Sequence, residues 1–139
     1  MNRRQLWTGL VVACCWLCGC SAPLAARAVS LEVVGTDELR FEPAELTAPA
    51  GVTINLTFRN QGNLQHSFAL LPEAADINLF TINQENFPGE IDTGQIDGGA
   101  SFRLAIDSLD PGSYTYICLT PGHAAAGMVG TLLVEGQSR

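Results

Sequence analysis

Tyr114-Thr-Tyr-Ile-Cys118-Leu-Thr-Pro-Gly-His123-Ala-Ala-Ala-Gly-Met128-Val-Gly130 decides how the rest of this chain reads. Tyr114 to Cys118 has the residue types of a strand, and Met128 to Val134 reads as another. Between them, the fixed φ of Pro121 and the freedom of Gly122 make a tight turn that swings His123 back toward Cys118. Gly127 lets the chain bend again before Met128. The spacing Cys-x4-His-x4-Met therefore aims a thiol, an imidazole and a thioether at one place. Beyond the first 28 residues the chain holds two histidines, one cysteine and one methionine, and His66 completes the set. A thiolate, two imidazoles and a thioether suit a copper ion that alternates between two oxidation states. His66 lies far upstream, so such a site ties distant strands together.

Each donor alone has an ordinary role: a small core thiol, a hydrogen-bonded core histidine, a packing methionine. Together they leave nothing over. Structural zinc would instead favour a compact cysteine–histidine cluster.

The pattern around the motif is all-β. Leu31–Val34 reads as a first strand, and Phe41–Thr47 as an extended edge segment that carries a proline. Val52–Phe58 and Ser101–Ile106 alternate apolar and polar residues with period two, as half-buried strands do. Ser67–Leu71 is a further strand. Pro49-Ala-Gly51, Asn60–Asn63, Asp97–Gly99 and Asp110–Gly112 supply the turns. Short strands with regular turns predict a sandwich or barrel of about seven or eight strands. Residues 72–99 break the rhythm, with six acids and no base. They read as a flap or insertion, with a short helix over Ala74–Phe80 covering one side of the sandwich.

The N-terminus points to export. Arg3 and Arg4 precede an apolar run, Leu6–Leu17, of signal-peptide length. Two endings compete. Leu17-Cys18-Gly19-Cys20 resembles a bacterial lipobox with Cys20 as the lipid-bearing residue, and Ala26-Arg27-Ala28 resembles an A-x-A cleavage site that leaves Val29 first. The lipobox reading also provides a tether of ~10 residues. An uncleaved anchor would need a longer apolar run. Residues 1–28 are thus a signal peptide or a lipoprotein signal plus tether, and residues 29–139 are one domain. Four cysteines (Cys14, Cys15, Cys18, Cys20) fall in the targeting segment, so Cys118 is the lone thiol of an exported domain. From Val29 onward four arginines and no lysine face all fourteen acids. That balance argues against nucleic acid and against anionic lipid, and favours a basic protein partner or simple solubility.

With Gln65-His66-Ser67-Phe68 upstream, Tyr114-x-Tyr116-x-Cys118-x-x-Pro-Gly-His123-x4-Met128-x-Gly130 resembles the cupredoxins, most closely their azurin and auracyanin branch. Plastocyanins usually have two residues between the cysteine and the second histidine, where this chain has four. Phe41-Glu-Pro-Ala-Glu-Leu-Thr-x-Pro-Ala-Gly51 is also common in the family, so the resemblance spans essentially all of the chain after the targeting segment. It implies a Greek-key β-sandwich that binds one type 1 copper ion at its loop-rich end through His66, Cys118, His123 and Met128. It further implies a non-enzymatic, periplasmic or extracytoplasmic monomer that carries single electrons between redox proteins such as a cytochrome or a membrane redox complex. A copper carrier that loads an exported oxidase is the alternative, although such carriers usually show several methionines or a histidine tail. A copper nitrite reductase needs a second centre with further histidines, and none remain.

Three details bear on the site. Tyr114 follows Asp110-Pro-Gly112, where its hydroxyl can bond backbone as a tyrosine corner does. Ser67 stands where the family more often has an asparagine that reaches the residue after the cysteine; serine is shorter, so the sequence does not support that bond between loops. Gln65 stands where azurins have glycine, which leaves its carbonyl as an unsupported distant ligand. Pro121, Ala124, Ala125 and Ala126 would form a flat apolar patch around His123 if they face outward.

Overall fold

A computed structural model describes residues 27–73 and 75–136. The targeting segment, with Cys20 and its alternative cleavage site, lies outside the described residues except for Arg27 and Ala28. Nine strands form among the described residues: β1 (Ala28–Thr36), β2 (Arg40–Glu42), β3 (Glu45–Pro49), β4 (Thr53–Asn60), β5 (Ala69–Leu70), β6 (Ile91–Asp92), β7 (Ser101–Ile106), β8 (Gly112–Ile117) and β9 (Val129–Glu135). They build two facing sheets, ordered β2-β1-β4-β7 and β3-β9-β8-β5-β6. Both sheets are mixed: β1 runs parallel to β4, and β3 runs parallel to β9.

The alternation read in Val52–Phe58 sets the first sheet. Ile54, Leu56 and Phe58 are buried, while their neighbours turn outward. Phe41 centres the space between the sheets. It meets Phe58, Phe68 and Tyr116 edge-on at 6.3, 6.3 and 5.0 Å between ring centroids, and Phe68 stacks on Tyr116. Such pairs add to simple area burial. Gly130 lies directly opposite Tyr116 in the β8–β9 ladder, and a Cβ there would collide with the tyrosine ring. The Tyr116 hydroxyl donates to the Pro43 carbonyl at 2.9 Å, and the Tyr114 hydroxyl closes the expected corner on the Asp110 carbonyl at 3.0 Å.

Several sequence expectations need correction. Phe41–Thr47 is not one extended edge segment. Pro43 has no N–H for a ladder, so the chain leaves one sheet after Glu42 and enters the other at Glu45, at an edge each time. Ser101–Ile106 is itself an edge strand, and of its residues only Ile106 is buried. No helix forms in residues 72–99 among the described residues. The Asn78 carbonyl accepts from Thr81 and Ile82 N–H, a single turn that goes no further. The side chains of Asn78, Asn83 and Asn86 bond nearby backbone groups instead, a competition that keeps such residues out of helices.

Candidate metal centre

The second sheet delivers the cysteine, and the loop after it delivers the next two donors. Cys118 directly follows β8, and β9 begins one residue after Met128. Between them the chain folds on itself: His123 N–H donates to Thr120 O, Met128 N–H to His123 O, and Cys118 N–H to Met128 O, each at 3.0–3.2 Å. Gly122 and Gly127 take positive φ values of 82° and 108°, which the bends at these two positions require. Met128 is fully buried, and a Cβ on Gly35 would stand 3.1 Å from its methyl group. Gly35 thus makes room for the thioether, a role the sequence did not reveal.

His66 comes from a different kind of place. It lies in the loop before β5 and pairs with Ile96 through two backbone hydrogen bonds of 3.1 and 2.8 Å. The end of the acidic insertion therefore braces the histidine, and Phe68 and Thr93 extend the same pairing. Asn60 organises the preceding turn from within. Its amide donates to the carbonyls of Leu64 (2.7 Å) and Ile96 (2.8 Å), and its oxygen accepts from Gly62 N–H.

The donors meet at one end of the sandwich. Ligand atoms of His66, Cys118 and His123 all lie within 4.8 Å of one another. The two Nδ1 atoms are 3.2 Å apart, and the Cys118 sulfur is 3.6 Å from Nδ1 of His123. His66 and Cys118 are fully buried, and His123 is half-buried. Burial lowers the pKa of both imidazoles, and the proximity of His66 lowers that of His123 further. Neutral imidazoles beside a buried free thiol are what a soft metal ion requires, so the residues present fit copper.

The bond between loops that serine looked too short to make is formed: Leu119 N–H donates to Ser67 Oγ at 2.7 Å. Close approach of the two chain segments removes the need for a longer side chain. Ser67 also directs its backbone N–H (3.4 Å) and its hydroxyl (3.8 Å) at the Cys118 sulfur. The Gln65 carbonyl has another partner, the Thr120 hydroxyl at 3.1 Å. The alanines divide: Ala124 is buried with Leu119 and Ile82, whereas Pro121 and Ala126 are exposed and Ala125 is half-buried. Leu64, 49% exposed and two residues before His66, adds an apolar group the sequence did not mark.

The insertion runs along the sandwich rather than staying at one end. Glu73 and Glu90 border a hollow with Leu109 and Tyr114, whereas Asn83, Gln84 and Glu85 border a cleft of about 390 Å3 with Gln65, Thr120 and Pro121. Of these three acids, Glu85 is the one beside the metal loops.

Residues 27–135 match the family model for copper binding proteins of the plastocyanin/azurin family. The chain belongs to that family. It is 35% identical over 113 residues to auracyanin-B of Chloroflexus aurantiacus, covering 70% of this chain and 48% of the relative. It is 32% identical over 112 residues to the copper-resistant cuproprotein CopI of Rubrivivax gelatinosus, covering 76% of this chain and 66% of the relative. The chain thus spans between about half and two thirds of the length of these curated relatives. A solved auracyanin B structure superimposes with a TM-score of 0.68 at 30% identity, covering 80% of this chain and 91% of that one. Auracyanin A of the same bacterium gives 0.67 at 27% identity, covering 78% and 99%.

Proposed function

We propose that this protein carries single electrons outside the cytoplasm, through one type 1 copper ion that His66, Cys118, His123 and Met128 would hold. The observation that supports this most is the convergence of two imidazoles and a buried free thiol within 4.8 Å. A bound copper ion supplies a one-electron Cu(II)/Cu(I) couple there. The chain's own residues do the rest. The loop bonds hold the donors in fixed relation, so little moves on electron transfer. Ser67 keeps hydrogen-bond donors on the sulfur, and the burial of His66, Cys118 and Met128 excludes water. His123 alone among the four is half-open, so the electron leaves by that edge, past Pro121, Ala125 and Ala126. Small redox interfaces suit such an apolar rim. The partner is a basic redox protein such as a cytochrome or a membrane redox complex. The carrier works as an exported monomer, free or anchored through Cys20, and is not an enzyme.

Loading with copper(II) tests the reading. The wild type is expected to turn blue or blue-green and to titrate reversibly by one electron, and Cys118→Ser to lose the intense absorption. A colourless wild-type complex overturns the assignment. Met128→Leu checks the fourth donor: the colour persists while the potential rises, because copper(II) loses a ligand. Mass spectrometry of the native N-terminus decides the anchor, since a chain that begins at unmodified Val29 has none.

Similarity to the copper-resistant cuproprotein supports a second reading, that this chain handles copper as cargo. Three of its four donors are fully closed from solvent, which favours retention over hand-over. Transfer of copper to a chelator within seconds would favour the cargo reading, and retention over hours the electron carrier.

A further inference from the structure

One buried polar atom at the site has no hydrogen-bond partner among the described residues: Nε2 of His66. The ring is fully buried, and its other nitrogen, Nδ1, faces His123. A neutral imidazole that gives Nδ1 to a metal carries its single proton on Nε2, and that proton needs an acceptor. The nearest charged group is Asp37, in the turn between β1 and β2, with Oδ1 at 3.5 Å. That distance is too long for a formed bond, yet it leaves room for nothing between them.

Everything else about Asp37 fixes its carboxylate in place. Asn63 N–H reaches both oxygens at 2.9 and 2.8 Å, the Asn63 amide reaches Oδ2 at 3.0 Å, and Leu64 N–H reaches Oδ1 at 3.0 Å. A Cβ on Gly62 would collide with Oδ1, so the glycine is what admits the carboxylate. Hydrogen bonds that converge on one carboxylate favour its anionic form over its protonated form. Four hydrogen bonds to the loop just upstream of a ligand, and a free edge on that ligand's remote nitrogen, are more than a loop cap requires.

We propose that Asp37 is a positioning residue of the metal centre, which accepts the Nε2 proton of His66 and lends its negative charge to that imidazole. The inference rests on the copper reading above. A carboxylate on the remote nitrogen fixes the tautomer and the ring orientation and strengthens the imidazole as a donor. A stronger donor favours copper(II) over copper(I), so Asp37 lowers the reduction potential. His123 is half-open to solvent and has no such partner among the described residues, so the two imidazoles are unequal donors.

The test uses the full copper-loaded chain with Asp37→Asn and Asp37→Ala. Asparagine keeps one acceptor oxygen, which can still take Asn63 N–H and Leu64 N–H, but it loses the charge and the acceptor at Oδ2; alanine loses them all. Both variants are expected to keep the intense absorption and to shift the ratio of copper(II) to copper(I) affinity about tenfold toward copper(I), a rise of about 59 mV for a one-electron couple. Asp37→Ala is expected to lower the denaturation midpoint more than Asp37→Asn. A merely structural cap would move that midpoint and leave the potential alone. In the reduced wild type, which is diamagnetic, the Nε2 proton of His66 is expected to resonate downfield of that of His123, because a charge-assisted bond to a carboxylate deshields the shared proton. Nε2 protons of the two histidines at the same shift, or an unmoved potential in Asp37→Asn, overturns the proposal. Should Asp37→Asn fail to fold, the wild-type spectrum decides alone. An absent charge-transfer band in the wild type overturns the copper reading itself and the Asp37 role with it; a normal band with an unmoved potential overturns Asp37 alone.

Discussion

The two halves of this metal centre are built by opposite strategies. The loop from Cys118 to Met128 carries three donors within eleven residues, and backbone bonds inside that loop hold its shape. The His66 station carries one donor. Segments far apart in the chain support it: Asp37 from the β1–β2 turn, Asn60 at the end of β4, residues 93–96 from the insertion, and Leu119 through Ser67. The first half is a motif, and the second is an assembly. A motif survives as long as its own spacing does, whereas an assembly depends on the whole fold arriving correctly.

The largest expected effect breaks the motif half through the sandwich rather than through a ligand. Gly130→Val places branched carbons where the Tyr116 ring lies, and the ring is tied to Pro43 and packed on Phe41 and Phe68. Overpacking of this kind is expected to cost about 3 kcal/mol, read from the denaturant midpoint at constant slope. A loss below about 1 kcal/mol would show that the ring can move aside.

Asn60→Ala attacks the assembly half in the same measurement. It leaves the carbonyls of Leu64 and Ile96 without this donor and Gly62 N–H without this acceptor. Unsatisfied groups at a buried residue are expected to cost about 2 kcal/mol. Copper(II) affinity should fall in parallel, because His66 loses its brace. An unchanged affinity with reduced stability would mean that His66 keeps its position without the Asn60 network, and the contrast between the two halves would weaken.

The same contrast explains what the sequence disclosed. Cys118, His123, Met128 and the strand rhythm were legible because each is local: a fixed spacing around Pro121 and Gly122, a period of two in Val52–Phe58. The supports of His66 were not. Asp37 reads as one acid among fourteen, and Asn60 as an ordinary turn residue, although Asn60-Gln-Gly62 is the kind of run in which a side chain closes on the backbone two residues on. Nothing local says that Asp37 lies across from residue 63. Ser67 shows the limit from the other side. Side-chain length argued against its bond to Leu119, yet the bond forms because the backbone separation, a tertiary property, is short. The helix expected in 74–80 failed where Asn78 side-chain bonding competed with it.

Ser67→Ala probes a buried bond that joins the halves. Leu119 N–H is buried and would lose its acceptor, at a cost of about 1 kcal/mol. The hydroxyl also directs a donor at the Cys118 sulfur, and hydrogen bonding around that sulfur tunes the potential. Donors on sulfur withdraw electron density and favour copper(I), so the potential should fall in Ser67→Ala, opposite in sign to the rise expected for Asp37→Asn. Ser67→Asn should restore the bond to Leu119. Shifts of the same sign in Ser67→Ala and Asp37→Asn would mean that both act through general loosening of the loop rather than through the sulfur and the imidazole separately.

The smallest effect concerns the approach of a partner. The acidic insertion reaches both ends of the sandwich, with Glu85 beside Gln65, Thr120 and Pro121, and Glu90 beside Tyr114. If the electron leaves past His123, these two exposed acids should be unequal in steering. Glu85→Gln should slow electron transfer to a basic cytochrome about twofold at low ionic strength, where exposed charges act over roughly 30 Å at 0.01 M salt. The difference should vanish when screening shortens that reach to about 3 Å at 1 M. Glu90→Gln should change little under either condition, because its charge sits at the end away from the metal loops. A bulky charge at Ala125 differs in kind: Ala125→Glu blocks close approach and should slow the reaction at every salt concentration. Stopped-flow rates across a salt series separate these cases. Equal effects of Glu85→Gln and Glu90→Gln would mean that only net charge matters to the encounter, and indifference to Ala125→Glu would place the electron's exit away from His123.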